Sequence, residues 1–353
     1  MTPRQERALV IAREAGADGV LAAEPATVTW LTGLEADVES GPSPFALAPL
    51  AVLPRDGPPI LVVSADEEDA ARELGCEVVS YPGFTTQPLD PVGNARRALM
   101  EATEGRTLVT EPRALSAALA ENLSLVDAQE ALARARAVKD ADELGLLRTA
   151  LELCDVGQRA AREHVAEGLT EIELWGEVRA AVEQAAGRRT PLLADLVSGE
   201  RTGETGGAPG ERVLRKDDVV LCDLVPRLAG YWGDSCTTLA VGTAPESARA
   251  GHRRVREALA RGLDAVEPGV RASDLDALVR EGLDYPHHTG HGIGTSWHEE
   301  PRIVPGGATV LEAGMVVALE PGVYSGAEGV RLEQVAVVTH DGCEVLSGFS
   351  LDL

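Results

Sequence analysis

Aromatic residues are scarce in this 353-residue chain, with four Trp, four Tyr and three Phe. Its cores must therefore rest on Ala, Leu and Val, within a hydrophobic content of 44% that allows sizeable burial. Basic residues are also few. Lys and Arg total 32 against 57 Asp and Glu, giving a formal charge of −25. That balance argues against nucleic acid as a partner, because holding phosphates needs a basic footprint, and it disfavours an anionic membrane surface. The acid excess reads as a well-solvated surface. Cysteine is limited to positions 76, 154, 222, 236 and 343, an odd number with no C-x-x-C pair. A disulfide framework is not expected, and a reduced, cytoplasmic protein is. The first residues, MTPRQERALVIAREAGADG, lack the apolar core of a signal peptide. No stretch of about 18 residues is free of charge, so no membrane span is predicted.

The length suits two domains of roughly 100–200 residues each. Residues 4–16 have helical spacing and stop at Gly16. The strand-like runs DGVLAAE, PILVVSA, EVVSYP and TLVTE then alternate with helical stretches at DEEDAARELGC, 94–104 and 113–122, with a Pro/Gly-rich loop over 41–58. This alternation predicts an α/β domain with a mainly parallel sheet over residues 1–132. The charged segment ALARARAVKDADE, 131–143, reads as the junction, with a second domain over 133–353. Two amphipathic helices are predicted at 142–166 and 170–187, and Thr170-x-x-Glu173 forms a capping box for the second. HVAEGLTEIELWGEVRAAVE (164–183) is echoed by AVEPGVRASDLDALVREGLD (265–284), each a helix, a Gly-centred turn, a Thr or Ser cap and another helix. A duplicated unit of this kind would place a site at a pseudo-twofold interface.

Three clusters carry chemistry. In VVLCDLVPRLAGYWGDSCTTLAVG (219–242), Asp223 sits inside an apolar run, where a carboxylate is costly unless paired or metal-bound. Asp234 follows eleven positions later, a spacing that allows two connected strands to bring both acids to one face. In PHHTGHGIGTSWHEEP, four of the seven histidines fall at 287, 288, 291 and 298. Neutral imidazole suits divalent transition metals, and the glycines beside His291 permit close backbone approach. In VVALEPGVYSGAEGVRLEQVAVVT, Glu320 and Glu333 are acids within buried patterns. Carboxylates plus imidazole suit Mn²⁺, Fe²⁺, Co²⁺ or Zn²⁺, and two ions neutralise four carboxylates better than one.

These clusters, in order and approximate spacing, resemble the metal-site motifs of the methionine aminopeptidase, Xaa-Pro peptidase and creatinase superfamily, peptidase family M24. ATVTWLTGL and RARAVKDADELGLLRTA resemble its two-domain aminopeptidase P and prolidase branch. The resemblance implies a creatinase-like α/β N-terminal domain and an α+β pita-bread catalytic domain with a pseudo-twofold repeat. It implies Asp223, Asp234, His291, Glu320 and Glu333 as ligands of two divalent ions, Mn²⁺ foremost, with a hydroxide between the ions as nucleophile. Glu320 would also shuttle a proton to the leaving nitrogen, and His298 would hydrogen-bond the carbonyl as it becomes an oxyanion. His287 would contact substrate. Arg331, Tyr231 and Arg201 are candidate supporting or substrate-binding residues, Arg201 as an anion contact. The expected substrate is a small Xaa-Pro peptide, and a homodimer is implied.

There are two departures from the family pattern. Gly206 occupies the place, about 17 residues before Asp223, where family members usually carry a histidine, and DSCTT replaces D-x-T-R-T after Asp234. The first keeps open hydrolysis of a non-peptide amide or cyclic amidine, as in ectoine-hydrolase-like relatives, and a metal-dependent lyase on the same fold. A non-catalytic binding module is disfavoured because all five ligands are present.

Overall fold

The computed structural model describes residues 1–36, 38, 43–86 and 88–353. The chain folds as two compact units, Met1–Arg136 and Ala137–Leu353. The division falls within the helix Gln129–Ala137, four residues beyond the boundary expected at 132. No helix among the described residues is long and apolar enough to cross a membrane.

The first unit is built on a six-stranded sheet in the order Glu77–Tyr81, Ile60–Ser64, Leu50–Pro54, Gly19–Ala22, Thr107–Thr110, Ser124–Asp127. It is mixed rather than mainly parallel, because Leu50–Pro54 runs antiparallel to both neighbours. Only a short loop separates it from Ile60–Ser64, and a parallel crossover needs a dozen or so residues. That strand lies inside the stretch read as a 41–58 loop, whose first two residues fall outside the described ones. The expected helix at 113–122 shrinks to Ala117–Ala120 and is followed by the strand Ser124–Asp127. Trp30 and a set of Ala, Leu and Val side chains fill one face of the sheet.

The second unit opens with the helix Ala141–His164, capped by Asp140 and Glu143, then Glu171–Ala186, capped by Thr170 and Glu173. Strands Leu192–Ser198, Val219–Leu228 and Ser235–Ala240 form an antiparallel sheet with Val219–Leu228 at its centre. The helices Glu246–Asp264 and Ala272–Arg280 follow, with a five-stranded sheet ordered Glu299–Ile303, Gly290–Gly292, Val316–Leu319, Gln334–Val338, Cys343–Val345.

The echo seen in the sequence is a repeat in three dimensions. Gly168 and Gly269 both sit at positive φ, +96° and +94°, between the paired helices. Their N–H groups donate to Leu214 O and Leu311 O, each at 2.9 Å. Residues 170 and 271 then bridge to Val213 and Val310. The caps differ. Thr170 caps its helix, whereas the matching helix starts after Arg271 without a side-chain cap and Ser273 lies in its first turn. In both repeats a glycine lets a helix settle on a strand. A Cβ on Gly157 would lie 2.7 Å from Leu224, and one on Gly262 would lie 3.1 Å from Leu319. Those two leucines immediately follow and precede Asp223 and Glu320, respectively.

Candidate metal centre

The first pair of acids is assembled by a hairpin. Asp223 lies on the central strand Val219–Leu228. The chain reverses through Ala229 and Gly230, both at positive φ (50° and 81°), the combination that a two-residue hairpin turn of matching twist requires. Arg227 thus pairs with Trp232 and Leu228 with Tyr231. Gly233 is required next, since a Cβ there would lie 2.6 Å from Ala150 O. Asp234 follows, and Cys236 comes to stand opposite Asp223.

The remaining three residues come from the second sheet. His291 is the middle of a strand pressed between two others. A Cβ on Gly290 would fall 2.1 Å from Ala318 O, and one on Gly292 would fall 2.0 Å from Glu300 O. The flanking glycines therefore serve close backbone approach, as read from the sequence. Glu320 follows the strand Val316–Leu319, and its N–H donates to Thr289 O at 2.9 Å. Glu333 precedes Gln334–Val338, and its N–H donates to Cys236 O at 2.9 Å. That bond joins the second sheet to the strand beside Asp223.

The tautomer of His291 follows from its surroundings. Nδ1 lies 2.9 Å from Gly292 O, a pure acceptor, so Nδ1 carries the proton. The Nε2 lone pair is left facing Asp234 Oδ2 at 3.6 Å and Glu320 Oε1 at 3.5 Å. Donor atoms of Asp234, His291 and Glu333 all lie within 4.8 Å of one another. Burial holds the His291 imidazole down at about 3, so it is a neutral donor at ordinary pH.

The acids are dry and crowded. Burial raises Asp223 to about 6 despite Arg331, whose Nη2 donates to Asp223 Oδ2 at 2.6 Å. Burial and mutual repulsion lift Asp234 and Glu333 well above the carboxylate range. Burial also opposes ionisation of Glu320, but the His288 hydrogen bond and nearby positive charge outweigh it and hold Glu320 at about 2. Glu333 Oε1 is buried with no hydrogen-bond partner. Four such carboxylates against one guanidinium leave uncompensated anionic charge, which is unfavourable in a buried site. Divalent cations bound by oxygen and imidazole donors fit that deficit and satisfy the orphaned oxygen.

The other anticipated residues divide. A cavity of about 490 Å³ is lined by the five residues above together with His287, His298, Arg331, Trp297, Leu193 and Val225, among others. His287 donates from Nδ1 to His288 O at 2.8 Å and so accepts from the Tyr324 hydroxyl at Nε2, also 2.8 Å. His298 is exposed at the mouth, its ring centroid 4.0 Å from that of His291. Arg331 bonds Asp223, Tyr324 and Thr205 O. Tyr231 and Arg201 do not line the cavity. The Tyr231 hydroxyl donates to Glu143 at 3.2 Å inside an apolar cluster, and the Arg201 guanidinium is taken up by Glu171 and Ala208 O.

Three residues given no role in the sequence reading also belong here. His288 Nδ1 accepts from Arg302 at 3.0 Å, which fixes its proton on Nε2 for donation to Glu320 Oε1 at 2.6 Å. Gln158 donates to Cys222 O and Ser235 O, both 3.1 Å, and accepts from Thr237 at 2.7 Å, tying the long helix to both strands that carry the first acids. Asp195 lines the cavity opposite Asp223 on the adjacent strand. Of these, only the four-histidine cluster left a trace in the sequence.

Buried carboxylates and a neutral imidazole, gathered between two repeats of one unit, define a metal-dependent hydrolase of the peptidase class. Residues 145–340 match metallopeptidase family M24, residues 4–138 match the creatinase/prolidase N-terminal domain, and the chain belongs to that family. It is similar to a Bacillus subtilis protein named as a dipeptidase, YkvY, with 31% identity over 84% of this chain and 85% of that protein. Among solved structures it resembles a Xaa-Pro dipeptidase from Bacillus anthracis, with TM-score 0.84, 25% identity and coverage of 99% and 98% of the two chains. It also resembles a prolidase from Pyrococcus furiosus, with TM-score 0.81, 26% identity and coverage of 97% and 99%. The pita-bread catalytic domain and creatinase-type N-terminal domain expected from the sequence are thus both present.

Proposed function

We propose that this protein hydrolyses the bond preceding proline in small Xaa-Pro peptides, using two divalent ions, Mn²⁺ foremost, held by Asp223, Asp234, His291, Glu320 and Glu333. The observation that carries the reading is the gathering of three buried carboxylates, Asp234, Glu320 and Glu333, around the free Nε2 of His291, with the half-buried Asp223 lining the same cavity. Bound ions would supply Lewis acidity toward the peptide carbonyl and toward water.

The chain's own groups supply the rest. Glu320, ionised and hydrogen-bonded by the His288 N–H, is the group that relays the proton from the attacking water to the leaving nitrogen. His298, held down at about 4 chiefly by desolvation, is neutral at ordinary pH and donates an N–H to the carbonyl oxygen as it gains charge. Leu193, Val225 and Trp297 give an apolar wall suited to a proline ring. Arg331 orients Asp223 by its 2.6 Å bond.

The test is metal content and hydrolysis of Gly-Pro, Ala-Pro and a Xaa-Pro tripeptide after Mn²⁺ reconstitution, with Asp234→Ala alongside. Two ions per chain and turnover lost in the variant are expected. Two ions without peptide turnover would leave the centre intact and overturn the substrate. No metal after reconstitution would overturn both.

A further inference from the structure

Asp195 is a carboxylate outside the proposed ligand set. It stands directly across from Asp223 on the strand Leu192–Ser198. Alternation along that strand places Leu193 and Asp195 on the same face, and both line the cavity. Its side chain is 40% exposed, whereas Asp223 is 14% exposed. Oδ1 accepts the Gly207 N–H at 2.9 Å, which fixes the carboxylate in place. Oδ2 is 3.5 Å from Arg331 Nη2, a long contact, because that nitrogen is held by Asp223 at 2.6 Å. Asp195 thus lines the cavity with a half-exposed carboxylate whose only close partner among the described residues is one backbone N–H.

The loop is shaped around this group. A Cβ on Gly206 would lie 1.9 Å from Asp195 Oδ2 and 2.5 Å from its carboxyl carbon. No side chain fits at 206 while Asp195 holds this position. The Asp195 carboxylate thus occupies the space that a side chain at 206 would fill.

From this geometry we infer that Asp195 is a specificity-determining residue that receives a cationic group of the substrate, an ammonium or a guanidinium. The inference rests on the hydrolase reading for the position of the substrate, but not on proline as its leaving group. A neutral ligand leaves the half-exposed carboxylate with only the Gly207 N–H and the long Arg331 contact. A cationic ligand gains a charge-assisted hydrogen bond, and a ligand carboxylate at the same place is repelled.

The experiment uses the full chain loaded with Mn²⁺ and two probes, Ala-Pro-amide, which carries an ammonium, and its neutral analogue N-acetyl-Ala-Pro-amide. Dissociation constants are measured by thermal shift at short times and KM by product release, on wild type, Asp195→Asn and Gly206→Ala. Wild type is expected to prefer the cationic probe by about tenfold or more. Asp195→Asn should reduce that preference to about twofold, with metal content and thermal midpoint retained. Gly206→Ala should move it in the same direction by displacing the carboxylate. A preference unchanged in Asp195→Asn, equal weakening of both probes, or no preference in wild type would each overturn the inference. If the cationic probe is preferred but neither probe is cleaved, Asp195 keeps this role and the Xaa-Pro reading falls.

Discussion

Lys139 Nζ lies 3.4 Å from Glu299 Oε1, and the two side chains are only 1% and 2% exposed. The pair ties the start of the catalytic unit to the residue immediately after His298. Breaking a buried pair strands the remaining charge, which typically costs about 3–5 kcal/mol, whereas replacing both partners with neutral groups costs far less. Lys139→Met should therefore lower the urea midpoint sharply, and Lys139→Met with Glu299→Gln should recover much of the loss. Equal stability of the single and double variants would show that the charges are not coupled.

Gln158 has no charge and no catalytic role, yet it braces both strands bearing the first acids. Gln158→Leu leaves two buried carbonyls and a threonine hydroxyl short of a partner, at roughly 2–3 kcal/mol. Its expected signature is a weakened metal affinity as well as reduced stability. Titration calorimetry with Mn²⁺ checks the first and denaturant unfolding the second.

The metal-free protein should lose stability on the alkaline side. Asp234 and Glu333 have folded-state pKa values raised well above their unfolded ones. Their contribution is complete below the unfolded carboxylate range and is lost as pH rises through the folded values. Asp223, raised to about 6, adds to this loss between about pH 4 and 6. His287, His291 and His298 act in the opposite sense, since their depressed values, about 4, 3 and 4, cost stability as pH falls below about 6.5. A thermal midpoint that peaks near pH 6.5 and declines toward pH 8 is expected without metal. Saturating Mn²⁺ should remove the decline, and Asp234→Asn should raise the metal-free midpoint by a few degrees.

Thiol accessibility separates the five free cysteines into two groups. Cys154, Cys222 and Cys236 are buried, while Cys76 and Cys343 are half-buried. Burial raises all five thiols, the inner three most. An aromatic disulfide reagent should release two equivalents from native protein and five after denaturation. Fast reaction of a third thiol in native protein would contradict the packing around Asp223.

The four clustered acids and His291 were legible because polar groups set among apolar runs are conspicuous. Asp223 within VVLCDL and Glu333 within RLEQVAVV announce themselves by the cost of burying them. Gln158, His288 and Asp195 were not, since their roles depend on which strand lies beside which helix, and one-dimensional spacing does not encode that register. Asp195 is an ordinary acid near a turn until strand pairing sets it across from Asp223. The mixed sheet of the first unit was hidden for a related reason: Leu50–Pro54 is only five residues long and is followed by a Pro/Gly-rich turn that dominates the local pattern. Tyr231 shares the Asp223–Asp234 segment, yet its alternation in the hairpin sends its hydroxyl to Glu143 rather than to the cavity.

The proposed ligand residues are divided between the two repeats, Asp223 and Asp234 on one and His291, Glu320 and Glu333 on the other. Neither repeat alone holds a complete set. The short connection 241–245 turns what would be a bimolecular encounter of two fragments into an intramolecular one, with a correspondingly high effective concentration of one donor group about the other. Cutting the chain there would leave two pieces that still share the apolar core of Leu147, Leu151, Tyr231 and Trp232 with Ile293, Val316 and Val335, but each with only part of the proposed metal-binding set.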